Sequence, residues 1–375
     1  MRAEPASKTV WVLARGYVPD EGGLETYGRA VALAYADLGW KVVVFAPTSL
    51  GPREFQDGGV RVVDVGAASQ PKVMLRLIQA LRRELKTSRP AFVHAITWRL
   101  SIPAAALGLA PTVISIHGRE INYVRGPLKM AMKHLLGRAE RLVSVSHATA
   151  ALLLKQLPKV SSKTVVAWNG LSEWAEQLPD RTDRPAQSLQ ALTLCRLVER
   201  KNIPAAVEAT SAAKDRDFIY RIGGRGPDSA AVQQRIEAGG LQDRVQMLGF
   251  VPDDEMRRLF LSADVFLHPQ IAADGGRDVE GFGITIADAM AAGVVCIVGV
   301  EGGPAELIVD GETGWVVDGR DTAAIARAFT AALDDPQRTA AMGRAAQAYA
   351  REHFSWRRHV QLILREVGLT EGARA

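Results

Sequence analysis

Residues 172–189, SEWAEQLPDRTDRPAQSL, decide how the chain divides. Two prolines and six charged side chains crowd this stretch, and no apolar period runs through it. It reads as a linker. Upstream, short β-branched runs alternate with amphipathic segments. Strands are expected at 9–14, 41–46, 60–65, 91–96, 112–117 and 141–146, and helices at 25–38, 72–85 and 128–137. The runs TVISI and LVSVS are nearly all apolar or small, as in strands covered on both faces. Downstream the rhythm restarts, with strands at 191–196, 218–223, 245–249, 265–268 and 294–298 and helices at 204–213, 229–238, 254–262 and 284–292. Such alternation builds parallel sheets with helices on both faces. Two runs joined once predict an α/β fold of two Rossmann-like domains facing each other across a cleft, the default place for a ligand. Beyond about residue 320 the pattern is helical, ending in an amphipathic helix at 356–367. The expected division is 1–175, 176–353 and a terminal helical segment, 354–375.

A chain of 375 residues suits two domains and buries a core without staples. Cys195 and Cys296 are its only cysteines, which excludes a disulfide framework and fits a reducing compartment. Residues 1–8 are polar, and the apolar run at 10–14 is short for a signal core. No stretch of about 18 apolar residues occurs. The expectation is a cytoplasmic protein, either soluble or held peripherally at the inner face of the membrane.

The net charge of +5 hides an asymmetry. Residues 1–175 hold 23 Lys and Arg against 12 Asp and Glu, a net of +11; residues 176–375 hold 23 against 29, a net of −6. The basic half suggests an anionic partner. Arg76, Arg82, Arg83, Lys86 and Arg89 lie in one helical segment, and Lys129, Lys133, Arg138 and Arg141 in another. Leu77, Leu81, Leu85, Leu128, Met132, Leu135 and Leu136 accompany them, a pattern that suits an anionic membrane surface and equally a solvated helix over a core. These segments are not interleaved with stacking aromatics, so nucleic acid is not the expected partner.

The segment richest in chemistry is Glu280-Gly-Phe-Gly-Ile-Thr-Ile-Ala-Asp288-Ala-Met. Gly281 and Gly283 bracket Phe282 just before an apolar-periodic helix closed by Gly293. Small residues at a helix start let a ligand approach free backbone N–H groups, and the helix dipole favours an anion. Glu280 sits just outside the helix and Asp288 in its second turn, so the two do not share a helical face. They are expected to meet different parts of one ligand; a turn beside a solvated acid is the alternative.

These residues, with Pro269, the run Ala273–Val279 and Ala289-Met-Ala-Ala-Gly293, resemble the Glu-x7-Glu signature of the retaining GT-B glycosyltransferases of family 4 (glycosyltransferase group 1). Glu301-Gly-Gly-Pro-Ala-Glu-Leu-Ile and Asp310-Gly-Glu-Thr-Gly-Trp315 are similar to the segment that follows in that family. The resemblance implies a GT-B fold whose last helix returns to the first domain. It implies that the first acid, Glu280, touches the donor sugar and that the second binds the nucleotide ribose. Here the second acid is Asp288, one methylene shorter than the usual Glu.

Other segments acquire roles the same way. Cys195-Arg196-Leu-Val-Glu-Arg-Lys201-Asn202 follows the first strand of the second domain, where α/β sheets place ligands. The resemblance puts Arg196 and Lys201 on the donor diphosphate; two loop cations taken alone are more often simply solvated. Ile222-Gly-Gly224-Arg-Gly226-Pro227 has part of a dinucleotide fingerprint but Ser at 229 in place of its third glycine. In the family that turn, with Gly224, lines the nucleotide pocket, and the backbone of the stretch resembling Leu248-Gly-Phe250-Val-Pro252 meets the base. Tyr17-Val-Pro-Asp-Glu-Gly22-Gly23-Leu-Glu25 is a glycine-rich loop without the Gly-Lys-Ser/Thr ending of a P-loop. The family brings its paired glycines close to the donor phosphates and the acceptor, while a tight turn is the plain alternative. The family also places a histidine near the donor sugar, here His117 in His117-Gly-Arg-Glu120. His94 reads at least as well as a packed core residue, and Ser146-His147-Ala-Thr149 as a helix cap.

The function implied is transfer of a hexose, with retention, from a nucleoside-diphosphate sugar of the GDP-mannose or UDP-hexose class to a lipid-linked or glycan acceptor. No cofactor and no metal ion are expected. The run Gly275-Gly276-Arg277-Asp278-Val279 looks like that of lipid-directed mannosyltransferases. A GT-B-like nucleotide-sugar epimerase or a non-catalytic nucleotide-sugar-binding protein is the alternative.

Overall fold

The structure is a computed structural model that describes residues 8–20, 22–109, 111–182 and 188–369. The polar opening residues 1–7, Glu21, linker residues 183–187 and the end of the terminal segment, 370–375, lie outside the described residues. The chain forms two compact units, residues 1–170 with 355–375, and residues 171–354. The division falls at Gly170 and Leu171, five residues before the expected boundary, because the short helix Glu173–Glu176 belongs to the second unit.

The first unit is an eight-stranded sheet. Its strands are β1 (Thr9–Leu13), β2 (Lys41–Ala46), β3 (Arg53–Asp57), β4 (Val60–Asp64), β5 (Phe92–Ala95), β6 (Thr112–Ile116), β7 (Arg141–Ser144) and β8 (Thr164–Val166), in the order β3-β4-β2-β1-β5-β6-β7-β8. Every pairing is parallel except β3 with β4, an antiparallel edge hairpin. β1, β2 and β5 are buried along almost their whole length, as their continuous apolar runs require. Ser146 caps the helix His147–Gln156, accepting from the Thr149 N–H in a reciprocal capping box.

The last helix, Trp356–Glu366, belongs to this unit. Trp356, His359, Val360, Ile363 and Leu364 are buried, the three–four spacing of a helix with one apolar face. That face meets the helix Gly23–Asp37 through Tyr27, whose ring lies edge-on to Trp356 and His359. Arg141 Nε donates to Glu366 Oε2 at 3.2 Å near the far end.

The second unit is a six-stranded sheet, wholly parallel: β9 (Leu189–Leu194), β10 (Phe218–Gly223), β11 (Val245–Gly249), β12 (Val265–His268), β13 (Val295–Gly299) and β14 (Gly314–Val317), in the order β11-β10-β9-β12-β13-β14. The strand order reverses direction between β9 and β12, the topological switch point at which such sheets bind ligands at their carboxyl ends. Phe218, Tyr220, Ile222, Val265, Leu267 and Phe329 form much of its core. Helices Thr322–Asp334 and Pro336–His353 follow, each started by an aspartate, Asp321 or Asp335, that accepts from a backbone N–H three residues on.

The basic segments of the first unit resolve differently from their sequence pattern. In the helix Gln70–Glu84 the companions Leu77 and Leu81 are buried, so this leucine stripe is core. In the helix Gly126–Arg138, Met132 and Leu136 are buried, whereas Leu128 and Met130 stand on the outer surface, Met130 at 75% exposure. No helix among the described residues is long and apolar enough to cross a membrane.

Candidate active site

The carboxyl ends of β9 and β12 carry a cluster of charged and polar side chains. After β9 the chain turns through Glu199–Lys201, and Asn202 takes a left-handed conformation (φ 54°) with its Nδ2 donating to the Gly319 carbonyl at 2.6 Å. The turn sends Lys201 inward, where it is only 6% exposed. Its ammonium donates to Glu280 Oε2 at 2.7 Å and lies 3.1 Å from His268 Nε2. Arg200 Nε reaches the same Glu280 oxygen at 3.1 Å, and Arg200 NH1 lies 3.9 Å from Asp278 Oδ2. Burial would raise the Glu280 carboxyl, but Lys201 and Arg200 outweigh it and hold the group down at about 2. Glu280 is therefore a fixed negative charge between two cations.

Glu280 is also held through its backbone. The Gly303 N–H donates to the Glu280 carbonyl at 2.9 Å. At Gly302, with φ +89°, an added Cβ would stand 2.7 Å from the same carbonyl oxygen. Gly302 thus lies close against Glu280, where a side chain would clash, and the next residue binds the same carbonyl. Gly283 caps the helix Ile284–Ala291, whose first N–H groups open beside this cluster in the sequence sense expected for an anion.

Several residues expected at the site take other positions. Arg196 is exposed and makes none of the ion pairs of this cluster; the partner of Glu280 beside Lys201 is Arg200. Phe282 is buried with its ring edge-on to Phe354 at 5.9 Å, so it can offer a ligand only its backbone. Asp288 is 2% exposed, and both of its oxygens are engaged: Ser172 donates its N–H to Oδ1 at 2.8 Å and its hydroxyl to Oδ2 at 2.6 Å. Burial pushes the Asp288 carboxyl up to about 7 despite these bonds. The acid expected to bind the ribose is buried and bonded to Ser172.

Gly224 has a packing reason of its own. An added Cβ there would stand 1.8 Å from the Cys195 carbonyl, and one at Gly226 would stand 1.9 Å from the Leu197 carbonyl. The glycine spacing lets this turn lie against the loop that carries Arg196 and Lys201. At the end of β11, Phe250 is 56% exposed with the Arg225 guanidinium 6.0 Å over its ring, an open aromatic face. Gly281 is half-buried between Glu280 and Phe282.

In the first unit, Gly22 and Gly23 are exposed at the start of the helix Gly23–Asp37. The loop before them is tied down at Tyr17, which donates to Asp57 Oδ2 at 3.1 Å, and Arg29 clasps the same carboxylate. His117 follows β6. Its Nε2 donates to the Ile96 carbonyl at 3.1 Å, which leaves Nδ1 as the lone-pair nitrogen. Burial draws its pKa down to about 4, so the ring is neutral near pH 7. His94 is a packed core residue, hydrogen-bonded to Ser115 at 2.7 Å and to Tyr35 at 3.2 Å.

Arg200, His268, Gln270 and Ser172 join the candidate sites without having been singled out in the sequence. Only Arg200 carried a signal, a third cation beside Lys201.

Two family descriptions match the chain: Glycosyl transferases group 1 over residues 175–349, and Glycosyltransferase Family 4 over residues 21–173. A GDP-mannose-dependent monoacylated alpha-(1-6)-phosphatidylinositol monomannoside mannosyltransferase of Corynebacterium glutamicum is 34% identical over 376 residues, covering 94% of this chain and 95% of the relative. A GDP-mannose-dependent alpha-(1-6)-phosphatidylinositol monomannoside mannosyltransferase of Mycolicibacterium smegmatis is 26% identical over 366 residues, covering 92% and 94%. Among solved structures, a glycosyltransferase from Rickettsia africae superposes with a TM-score of 0.76 at 20% identity, covering 98% of this chain and all of that one. WaaG, a glycosyltransferase involved in lipopolysaccharide biosynthesis, superposes at 0.70 with 16% identity, covering 97% and 100%.

Proposed function

The chain belongs to the group 1 glycosyl transferases of GT-B fold, and from that membership we propose a retaining, metal-independent hexosyltransferase. Its donor is a nucleoside-diphosphate sugar, GDP-mannose in preference to a UDP-hexose, because the Corynebacterium and Mycolicibacterium relatives described above are GDP-mannose-dependent by name. Its acceptor is a lipid-linked saccharide or glycan.

The observation that carries the reading is the Lys201–Glu280 ion pair at the carboxyl end of a parallel sheet, beside a glycine-capped helix start. Sugar transfer builds negative charge on the departing diphosphate and positive charge on the anomeric carbon. Lys201 and the N–H groups after Gly283 suit the first, with Arg196 free to swing from its exposed loop onto the same phosphates. Preorganised charge of this kind supplies on the order of 3 kcal/mol per group in a site closed to water. Glu280 suits the second demand and has Arg200 as a second counter-ion, while Lys201 keeps its bond to Glu280 and offers a remaining N–H to the diphosphate. His117 Nδ1 accepts from a sugar hydroxyl. The acceptor oxygen forms its bond to the anomeric carbon on the face from which the diphosphate leaves. The carbon–oxygen bond to phosphate breaks, and the departing phosphate oxygen takes the acceptor proton. Asp288 serves the ribose in a modified way: each oxygen has a lone pair beyond its bond to Ser172. The glycines at 22, 23, 224, 281 and 283 give the phosphates and nucleoside close access to backbone, and Phe250 offers its open face to the base.

A panel of nucleotide sugars, with and without lipid extract and with and without EDTA, tests this by release of nucleotide. Release from one donor, dependent on lipid extract and unaffected by EDTA, is expected. Hydrolysis or transfer of none of them by folded protein overturns it, and binding without turnover points to a nucleotide-sugar-binding protein.

An anionic membrane surface is the proposed partner of the helix Gly126–Arg138. From 121 to 139 there is no Asp or Glu, while Arg125, Lys129, Lys133 and Arg138 lie on or next to the helix that exposes Leu128 and Met130. Exposed apolar side chains on a basic helix match an interfacial helix.

A further inference from the structure

We infer that His268 is a positioning residue for Lys201, holding its ammonium through Nε2 in an imidazole whose tautomer is set by Gln270. The inference rests on the reading above that Lys201 meets the donor diphosphate.

The argument starts at Gln270, which is fully buried. Its Nε2 donates to the carbonyls of Gly299 and Glu301, the latter at 3.0 Å. Its Oε1 accepts from the Gly299 N–H at 3.1 Å. Turning the amide over would set an NH2 group against that N–H and leave two carbonyls unpaired, so the orientation is fixed. The same Oε1 lies 3.1 Å from His268 Nδ1. A carboxamide oxygen cannot donate, so Nδ1 carries the proton. His268 Nε2 is therefore the lone-pair nitrogen, and it faces Lys201 Nζ at 3.1 Å.

Lys201 has three N–H donors. One goes to Glu280 Oε2 at 2.7 Å and one to His268. The third has no protein partner among the described residues. The two anchors fix the ammonium on a fully buried wall, since His268 is 0% exposed. An acidic residue at 268 would cancel the charge of Lys201, and a leucine would leave its N–H buried without an acceptor. Neutral histidine satisfies the donor and leaves the positive charge for an anion. Burial first, and Lys201 second, pull the imidazole down to about 4, so it stays neutral through the working pH range.

The test is a double-mutant cycle read by calorimetric binding of GDP and UDP, with GMP as the weakly phosphorylated control. His268→Ala is expected to weaken the better diphosphate about tenfold and GMP little. In the Lys201→Ala background, His268→Ala is expected to add less than twofold. His268→Gln, which keeps an acceptor at that end, is expected to recover most of the loss. Additive losses, or equal losses for GMP and GDP, overturn the inference. A second measurement does not depend on the donor reading: nitrogen NMR of labelled imidazoles in the wild-type protein at pH 7. A neutral Nδ1–H ring whose Nε2 resonance moves on Lys201→Ala supports the contact; an Nε2–H or doubly protonated ring overturns it. If the wild type binds neither GDP nor UDP, the donor reading falls and the NMR result alone decides whether His268 holds Lys201.

Discussion

Ser172 gives both its donors, the backbone N–H at 2.8 Å and the hydroxyl at 2.6 Å, to the carboxylate of Asp288. The serine stands just before the short helix Glu173–Glu176, while the aspartate sits in the second turn of the helix that Gly283 opens. A glutamate at 288 would carry its carboxyl one methylene further, beyond this pair of donors.

The pairing predicts an unusual pH dependence. Burial raises Asp288 to about 7, above its unfolded value near 4, so between those values the folded protein holds a proton that the unfolded chain releases. This contribution to stability is complete below pH 4 and is lost as pH rises through 7. Between pH 5 and 7.5 it amounts to roughly 2 kcal/mol. Asp288→Asn keeps the shape and removes the titration. Urea unfolding of both proteins at those two pH values should show the wild type losing more than the variant by about that amount. Parallel pH profiles would falsify the assignment.

Four histidines act in the opposite sense. Burial draws His94 to about 3 and His117, His268 and His359 to about 4. Each is neutral when folded and takes up a proton on unfolding below about pH 6.5. Their contribution is complete above 6.5 and is lost as pH falls toward 4. Unfolding at pH 5 should take up about three protons net, four from the histidines less one released by Asp288. Calorimetric unfolding in buffers of different ionisation enthalpy measures this number. Zero net uptake at pH 5 would contradict the buried, neutral state of the group.

His359 ties this chemistry to the return of the last helix. Its Nδ1 donates to the Trp168 carbonyl at 3.0 Å, so its Nε2 accepts from Tyr27 at 2.8 Å. Tyr27→Phe should lower the stability of the first unit by about 1–3 kcal/mol, the cost of leaving buried His359 and Ser115 short of a partner. Hydrogen exchange of the helix Trp356–Glu366 should rise in that variant more than exchange in β9 to β14. Uniform change across both sheets would argue against a local latch.

The sequence reading reached the parallel strands because long apolar runs are local signals, but it took 172–189 for a linker, whereas the described residues of that stretch belong to the second unit and include the helix Glu173–Glu176. It missed β3, REFQD, whose edge position and antiparallel pairing allow polar residues on both faces. It missed β8, whose three residues are too short to show a period, and β14, whose Gly-Trp-Val-Val overlaps the motif segment Asp310–Trp315. Glu280 and Lys201 were singled out by motif position, and the fold brings them together at 2.7 Å. Arg200 was not, because Arg196 and Arg200 are alike as letters and only the turn at Glu199–Lys201 sends one outward and the other to Glu280. His268 closes an apolar strand and gave no sign that its ring faces Lys201.

The membrane proposal depends on Met130 and the cations of its helix. Sedimentation with vesicles should show binding that rises with anionic lipid and falls with salt. At about 1 kcal/mol per basic residue, Lys133→Ala should weaken it roughly fivefold. Met130→Asp should weaken it further by removing the exposed apolar contact. Equal binding to neutral and anionic vesicles, or no effect of either substitution, would exclude this helix as the contact.

The backbone contact at Glu280 gives the last prediction, through a matched pair of glycines. Gly302 and Gly311 both have left-handed φ, +89° and +77°. An alanine at either costs on the order of 1 kcal/mol in backbone strain. At Gly311 the added Cβ meets nothing within 4 Å, whereas at Gly302 it stands 2.7 Å from the Glu280 carbonyl. Gly302→Ala must therefore shift Glu280, and with it the ammonium of Lys201 bound at 2.7 Å. A misplacement near 1 Å at a reacting centre lowers turnover about a hundredfold. Gly311→Ala should keep wild-type turnover with a small loss of stability, while Gly302→Ala should lose turnover well beyond its loss of stability. Equal activity in the two variants would show that Glu280 does not depend on the Gly302-Gly303 backbone for its place.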